Sequence, residues 1–168
     1  ANLANSNQIV FQVLSGGTAN FNIKDSTVDF AVDSAGLGVI DPLFKLSGFT
    51  TYPDSVPTTA NMLVDNSTFT TNQLNIASFE APEDTMNLTL SNGGNYIAPS
   101  LGVDNINGLD LTNNLIVNIG SATGVAPVAP GLMTLASPID LPYGATFNFN
   151  HTSTDGSYTF TPSIQQTT

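Results

Sequence analysis

Apolar and polar residues alternate along most of this chain. Gln8 to Leu14 sets Ile9, Phe11 and Val13 on one side and Gln8, Val10, Gln12 and Leu14 on the other. Ala19 to Lys24 turns Ala19, Phe21 and Ile23 one way and Asn20 and Asn22 the other, and Thr27 to Asp33 repeats the pattern with Val28, Phe30 and Val32. The same period returns in Met86 to Leu90, Leu115 to Ile119, Phe147 to Asn150 and Tyr158 to Phe160. A period of two is the signature of half-buried strands, and helical periodicity is nearly absent.

Turn formers separate these runs: Ser15-Gly16-Gly17, Asp41-Pro42, Pro53-Asp54, Asn92-Gly93-Gly94, Asn107-Gly108, Tyr143-Gly144 and Asp155-Gly156. Gly and Asn supply the positive φ that tight turns need. Thr154-Asp155-Gly156-Ser157 reads as the clearest hairpin. About nine to eleven short strands at this spacing predict an all-β fold, an antiparallel β-sandwich of jelly-roll or immunoglobulin-like type. Short helical turns are expected near Ala81–Thr85 and Asp110–Asn114, and Gly120 to Pro138 reads as a long loop or edge crossing. No internal repeat is evident. The division expected is a terminal strand with a glycine hinge over 1–17 and one sandwich domain over 18–168.

Composition narrows the function. Of 168 residues, 40% are apolar and only 9% charged, so a core can form while the surface is built from neutral groups. Nineteen Asn, 21 Thr and 15 Ser supply it. Thirteen Asp and Glu against two Lys and no Arg give a net charge of −11. Lys24 and Lys45 cannot neutralise a nucleic-acid backbone, and anionic membranes repel such a chain. No apolar run is long enough for a membrane helix. Cysteine is absent, which removes thiolate nucleophiles, thiolate zinc sites and a disulfide frame.

Catalytic constellations are also missing. The single histidine, His151, lies after Phe149 with no Gly-x-Ser-x-Gly elbow, and reads as a solvated turn residue. Glu80, Glu83 and Asp84 cluster about Pro82 and read as a charged loop tip before they read as paired catalytic carboxylates. The chain is therefore expected not to be an enzyme.

Calcium is the one cofactor these residues suggest. Asp104, Asn107 and Asp110, with Asn105, gather oxygen ligands around an Asn-Gly turn, although Ile106 stands where an oxygen belongs and no Glu closes the loop. Glu80, Glu83 and Asp84 form a second candidate group. Asp25, Asp29 and Asp33 would share one face of a strand, either as a cation ladder or as charges that block random edge pairing. Asn66-Ser67-Thr68, Asn87-Leu88-Thr89 and Asn150-His151-Thr152 are sequons, making Asn66, Asn87 and Asn150 candidate glycosylation sites. Lys24 and Lys45 are candidates for an intramolecular isopeptide bond.

The leading segment carries the sharpest functional reading. Gln8 to Leu14 is strongly strand-forming and Ser15-Gly16-Gly17 supplies a joint. Such a strand either opens its own sheet or completes a neighbouring copy's sheet, with Ile9, Val10, Phe11, Val13 and Leu14 as the contact residues. Repeated head to tail, that contact builds a fibre.

On its length, its terminal strand with a Gly joint and its Asn/Thr-rich surface, the chain resembles donor-strand filament subunits of the TasA and archaeal bundling-pilus kind. The resemblance implies an extracellular, secreted structural protein that polymerises with identical subunits, packs against neighbouring filaments, and serves adhesion or biofilm formation. Two other classes fit the composition. One is a carbohydrate- or calcium-dependent adhesive β-sandwich presenting Tyr52, Tyr96 or Tyr143. The other is a viral capsid or decoration jelly roll.

Overall fold

The computed structural model describes residues 8–14, 16–29, 41–47, 57–71, 77–79, 83–98, 101, 103–105, 114–120, 132–142, 144–151 and 163–167. They form fifteen strands: β1 (Gln8–Leu14), β2 (Thr18–Lys24), β3 (Thr27–Asp29), β4 (Asp41–Ser47), β5 (Thr59–Asp65), β6 (Thr68–Thr70), β7 (Ala77–Phe79), β8 (Thr85–Ser91), β9 (Asn95–Ala98), β10 (Val103–Asn105), β11 (Asn114–Ile119), β12 (Leu132–Leu135), β13 (Ile139–Pro142), β14 (Thr146–His151) and β15 (Ile164–Thr167).

Strands consecutive in the chain do not pair. Every described pair instead joins, in parallel, strands two or three places apart in the chain. The first sheet has the order β1-β4-β7-β10, the central sheet β14-β11-β8-β5-β2, and the third β12-β9-β6-β3, while β13 pairs with β15. The chain thus visits the three sheets in turn and returns one strand further along, which is the course of a parallel β-solenoid. The antiparallel sandwich expected from the sequence is overturned: every described strand pair is parallel. The repeat the sequence hid is one coil.

The alternation holds in β2, β8 and β14 even though the topology differs, and Phe30, Val32 and Tyr158 to Phe160 lie outside the described residues. A solenoid wall buries one face and wets the other, so its parallel strands carry the period of two usually associated with antiparallel sheets. Inward columns in the central sheet run Phe21, Met62, Leu88, Val117, Phe149 and Ala19, Ala60, Met86, Leu115, Phe147. Met62, Leu88 and Val117 are fully buried, whereas Phe21, Phe147 and Phe149 on the two outer strands are only half-buried. The third sheet adds the column Val28, Phe69, Tyr96, Met133, in which the Phe69 and Tyr96 rings stack at 5.8 Å between centroids. Each fully buried side chain of this size contributes about 1.5–3 kcal/mol.

The expected turns at Gly16, Gly93 and Gly144 become corners rather than hairpins, whereas Asp41-Pro42, expected as a turn, opens β4. Gly16 (φ 72°) lies between β1 and β2, and Gly93 (φ 75°) between β8 and β9, and in both cases the flanking strands belong to different sheets. Thr85 opens β8 where a helical turn was expected, and Asn114 opens β11. Within the stretch Gly120 to Pro138, β12 replaces part of the expected loop. The Thr154–Ser157 hairpin lies outside the described residues.

Candidate functional site

The central sheet is the widest of the described chain, and its outward face is lined with Thr and Asn. Its strands read Thr18-x-Asn20-x-Asn22, Thr59-x-Asn61-x-Leu63, Thr85-x-Asn87-x-Thr89, Asn114-x-Ile116-x-Asn118 and Thr146-x-Asn148-x-Asn150. Because the pairing is in register, like residues stand beside like. Thr18, Thr59, Thr85, Asn114 and Thr146 form one row, and Asn20, Asn61 and Asn87 begin the next. Neighbouring strands lie about 4.8 Å apart, a spacing that lets side-chain amides bond along the row.

They do, with one polarity. Asn61 Nδ2 donates to Asn20 Oδ1 at 2.9 Å and Asn87 Nδ2 to Asn61 Oδ1 at 2.8 Å. In the adjoining row Asn150 Nδ2 donates to Asn118 Oδ1 at 2.9 Å, and Asn118 Nδ2 to Thr89 Oγ1 at 3.3 Å. The donor always belongs to the later coil. Each bond contributes about 0.5–1.5 kcal/mol net, so the rows hold the coils in register as well as coating them.

The corner between the central and third sheets is a second polar feature. Asp25 (φ 50°), Asn66 (φ 46°) and Asn92 (φ 50°) all adopt the left-handed conformation, which Asp and Asn tolerate better than other side chains. Asn66 Nδ2 donates to Asp25 Oδ1 at 2.7 Å, and Ser91 Oγ and Asn92 Nδ2 both donate to Asp65 Oδ1. Backbone bonds extend the stitching: Asn66 N–H to Ser91 O at 3.0 Å, Thr68 N–H to Ser26 O at 2.9 Å and Asn95 N–H to Ser67 O at 2.8 Å. An open depression lies over this corner, lined by Asp25, Ser26, Asn66, Ser67, Thr68 and Gly93 among others. The carboxylate that lines it, Asp25, accepts from the Asn66 amide.

The residues singled out from the sequence are dispersed. Asp25 sits in the bend before β3, Asp29 is exposed on β3, and Asp33 lies outside the described residues, so the three do not form a single-strand ladder. Glu83 is exposed at φ 64°, while its neighbour Asp84 is fully buried and accepts from Thr58 N–H and Thr58 Oγ1, each at 2.9 Å. That pair faces opposite ways and the carboxylate inside is structural; Glu80 lies outside the described residues. Asp104 is on β10, and Asn107 and Asp110 lie outside the described residues. Among the described residues no group of three or more His, Cys, Asp or Glu could hold a metal ion.

Tyr96 is buried within the solenoid rather than displayed for a glycan, and burial raises its phenol far above the ordinary tyrosine value. Tyr52 and Tyr143 lie outside the described residues. His151 ends β14 in register with Ile119 and is half-buried, a strand position rather than a turn. Lys24 closes β2 opposite Asp65, and Lys45 lies on β4 opposite Gln12. The three sequon residues, Asn66, Asn87 and Asn150, each commit Nδ2 to an earlier coil.

Gln8–Leu14, the candidate donor strand, pairs residue for residue with Asp41–Ser47 of the same chain: Ile9 with Pro42, Val10 with Leu43, Phe11 with Phe44, Val13 with Leu46 and Leu14 with Ser47. The joint behind it is tied down, since Gly17 O accepts from Thr59 N–H at 3.0 Å. The outward amide rows were missed as a site; the recurrence of Thr-x-Asn in four strands was the signal that could have found them.

Comparison with family models, curated proteins and solved structures finds no match to this chain.

Proposed function

We propose that the chain is a structural, non-enzymatic module of an extracellular filament, built to associate with identical subunits. The observation that carries this reading is the pair of open edges on the central sheet: among the described residues, β2 and β14 each pair on one side only. Open strand edges recruit further strands, and repeat arrays normally close their ends with polar caps. Here the outer strands carry half-buried Phe21, Phe147 and Phe149 instead. The neutral Thr and Asn face gives lateral contacts that hydrogen-bond with little salt sensitivity, which suits bundling and adhesion.

Subunit contact through donated β1 would require that strand to leave its seven-residue register with β4. Edge-to-edge contact leaves that seven-residue register intact, and the subunit contact is proposed there. Negative-stain microscopy of the native protein tests it: unbranched fibres are expected, and only monomers at every concentration and salt would contradict it.

A further inference from the structure

We infer that copies of this chain join head to tail through the central sheet, with β14 of one copy pairing in parallel with β2 of the next. The inference rests on the filament reading above and names the surfaces that make the joint.

The two edge strands match. β2 reads Thr18-Ala19-Asn20-Phe21-Asn22 and β14 reads Thr146-Phe147-Asn148-Phe149-Asn150, differing at one position of the five. They lie at opposite edges of one sheet and run in the same direction. Moving a second copy along the stacking axis therefore brings its β2 beside β14 as the next parallel strand. In register, Thr18 meets Thr146, Asn20 meets Asn148 and Asn22 meets Asn150 on the wet face. Inward, Phe21 meets Phe149 and the small Ala19 leaves room for Phe147. Side chains that are half-buried in the single copy then become interior ones.

Amide polarity supplies an independent argument. Asn20 accepts from Asn61 through Oδ1, which leaves its Nδ2 to donate; Asn150 donates to Asn118 through Nδ2, which leaves its Oδ1 to accept. The β2 edge therefore offers an amide donor at Asn20 and the β14 edge an amide acceptor at Asn150. With β2 of the incoming copy against β14, Asn22 extends the Thr89–Asn118–Asn150 row in the direction it already runs, and Asn20 brings its Nδ2 beside Asn148. The contact uses different patches on its two sides and does not close, so it propagates.

The joint has one steric demand. β15 lies on β13, which itself packs against β10 of the first sheet. An incoming β1 would reach that same edge, so β15, the shorter strand, gives way where copies join.

Cysteine cross-linking tests the joint, because the native chain has no cysteine. Asn20→Cys and Asn148→Cys, each made singly in the full chain, are mixed under mild oxidation. Parallel neighbours about 4.8 Å apart fall within the Cα span of a disulfide. The expected result is a covalent heterodimer bridging positions 20 and 148. The pair Thr18→Cys with Asn150→Cys, offset by about 13 Å along the strands, should give at least about tenfold less. Fibres without the 20–148 bridge, or equal yields from both pairs, would overturn the joint and leave the filament reading standing. The bridge in discrete particles would support the joint and overturn the filament. Neither fibres nor bridge would overturn both.

Discussion

Thr58 and Asp84, 26 residues apart in the chain, meet in the buried corner ahead of the central sheet, where Thr58 N–H and Oγ1 both donate to Asp84 Oδ1 at 2.9 Å. The same corner passes strand hydrogen bonding onward: Thr85 N–H donates to Thr58 O and Asn114 N–H to Asp84 O, each at 2.9 Å. Three successive coils therefore meet at Asp84, the Thr58 coil through its buried carboxylate and the Asn114 coil through its backbone carbonyl. Asp84→Ala leaves two donors without an acceptor and should lower stability by about 3 kcal/mol. Asp84→Asn keeps an acceptor and should cost less than half of that. Urea unfolding midpoints give the order; equal losses would point away from the carboxylate.

Gly93 and Gly94 sit side by side with different requirements. A Cβ on Gly94 would press into the Val64 carbonyl and come within 2.9 Å of Ser91 O, all of it backbone that cannot swing aside. Gly93 has φ +75° and open space around it. Gly93→Ala should cost about 1–2 kcal/mol, the left-handed penalty of an L residue. Gly94→Ala should cost well over that or prevent folding, because adjacent coils must separate to admit it. Expression and thermal unfolding of the two variants decide the point; similar losses would argue against the close coil contact at Val64.

Tyr96 is buried at 0% exposure, and among the described residues its hydroxyl finds no hydrogen-bond partner. Tyr96→Phe keeps the stacking on Phe69 and removes an uncompensated polar group, so stability should stay level or rise by about 1–2 kcal/mol. The pH dependence follows from the raised phenol. Above about pH 10 an unfolded tyrosine loses its proton while the folded one keeps it, so the folded state binds more protons and stability falls with rising pH. That alkaline slope should shrink in Tyr96→Phe. An unchanged slope would mean the phenol ionises in place.

Asn61 occupies the middle of an amide row, accepting from Asn87 and donating to Asn20. Asn61→Ala breaks both bonds on a half-exposed face and should cost about 1–2 kcal/mol. Asn20→Ala, which breaks one, should cost about half as much. A double-mutant cycle between positions 61 and 87 should show coupling, and strict additivity would mean the row is decorative.

The nine to eleven strands expected became fifteen, with β5 unforeseen and Asp41-Pro42 inside β4. Facing was legible in the sequence where alternation was long, because alternation depends only on one face being wet. Phe21 and Ile23 inside and Asn20 and Asn22 outside hold in either topology. Strand direction was not legible, because a one-sided parallel wall and a sandwich sheet write the same period. The coil was hidden by its uneven length: Asn20 to Asn61 spans 41 residues, Asn61 to Asn87 26, and Asn118 to Asn150 32. Asn92-Gly93-Gly94 reads as a hairpin turn from residue type alone, since left-handed residues serve solenoid corners equally well. Asp84, read as part of a charged loop tip, is buried because Thr58 from the preceding coil reaches it. No local spacing announces a partner 26 residues away.

Fibre diffraction from aligned filaments of the native protein tests the account most directly. Coils stacked along the fibre, within copies and across joints, set every strand perpendicular to the axis and predict a strong meridional reflection near 4.8 Å. Filaments lacking that reflection, with strands running along or oblique to the axis, would contradict the stacked solenoid.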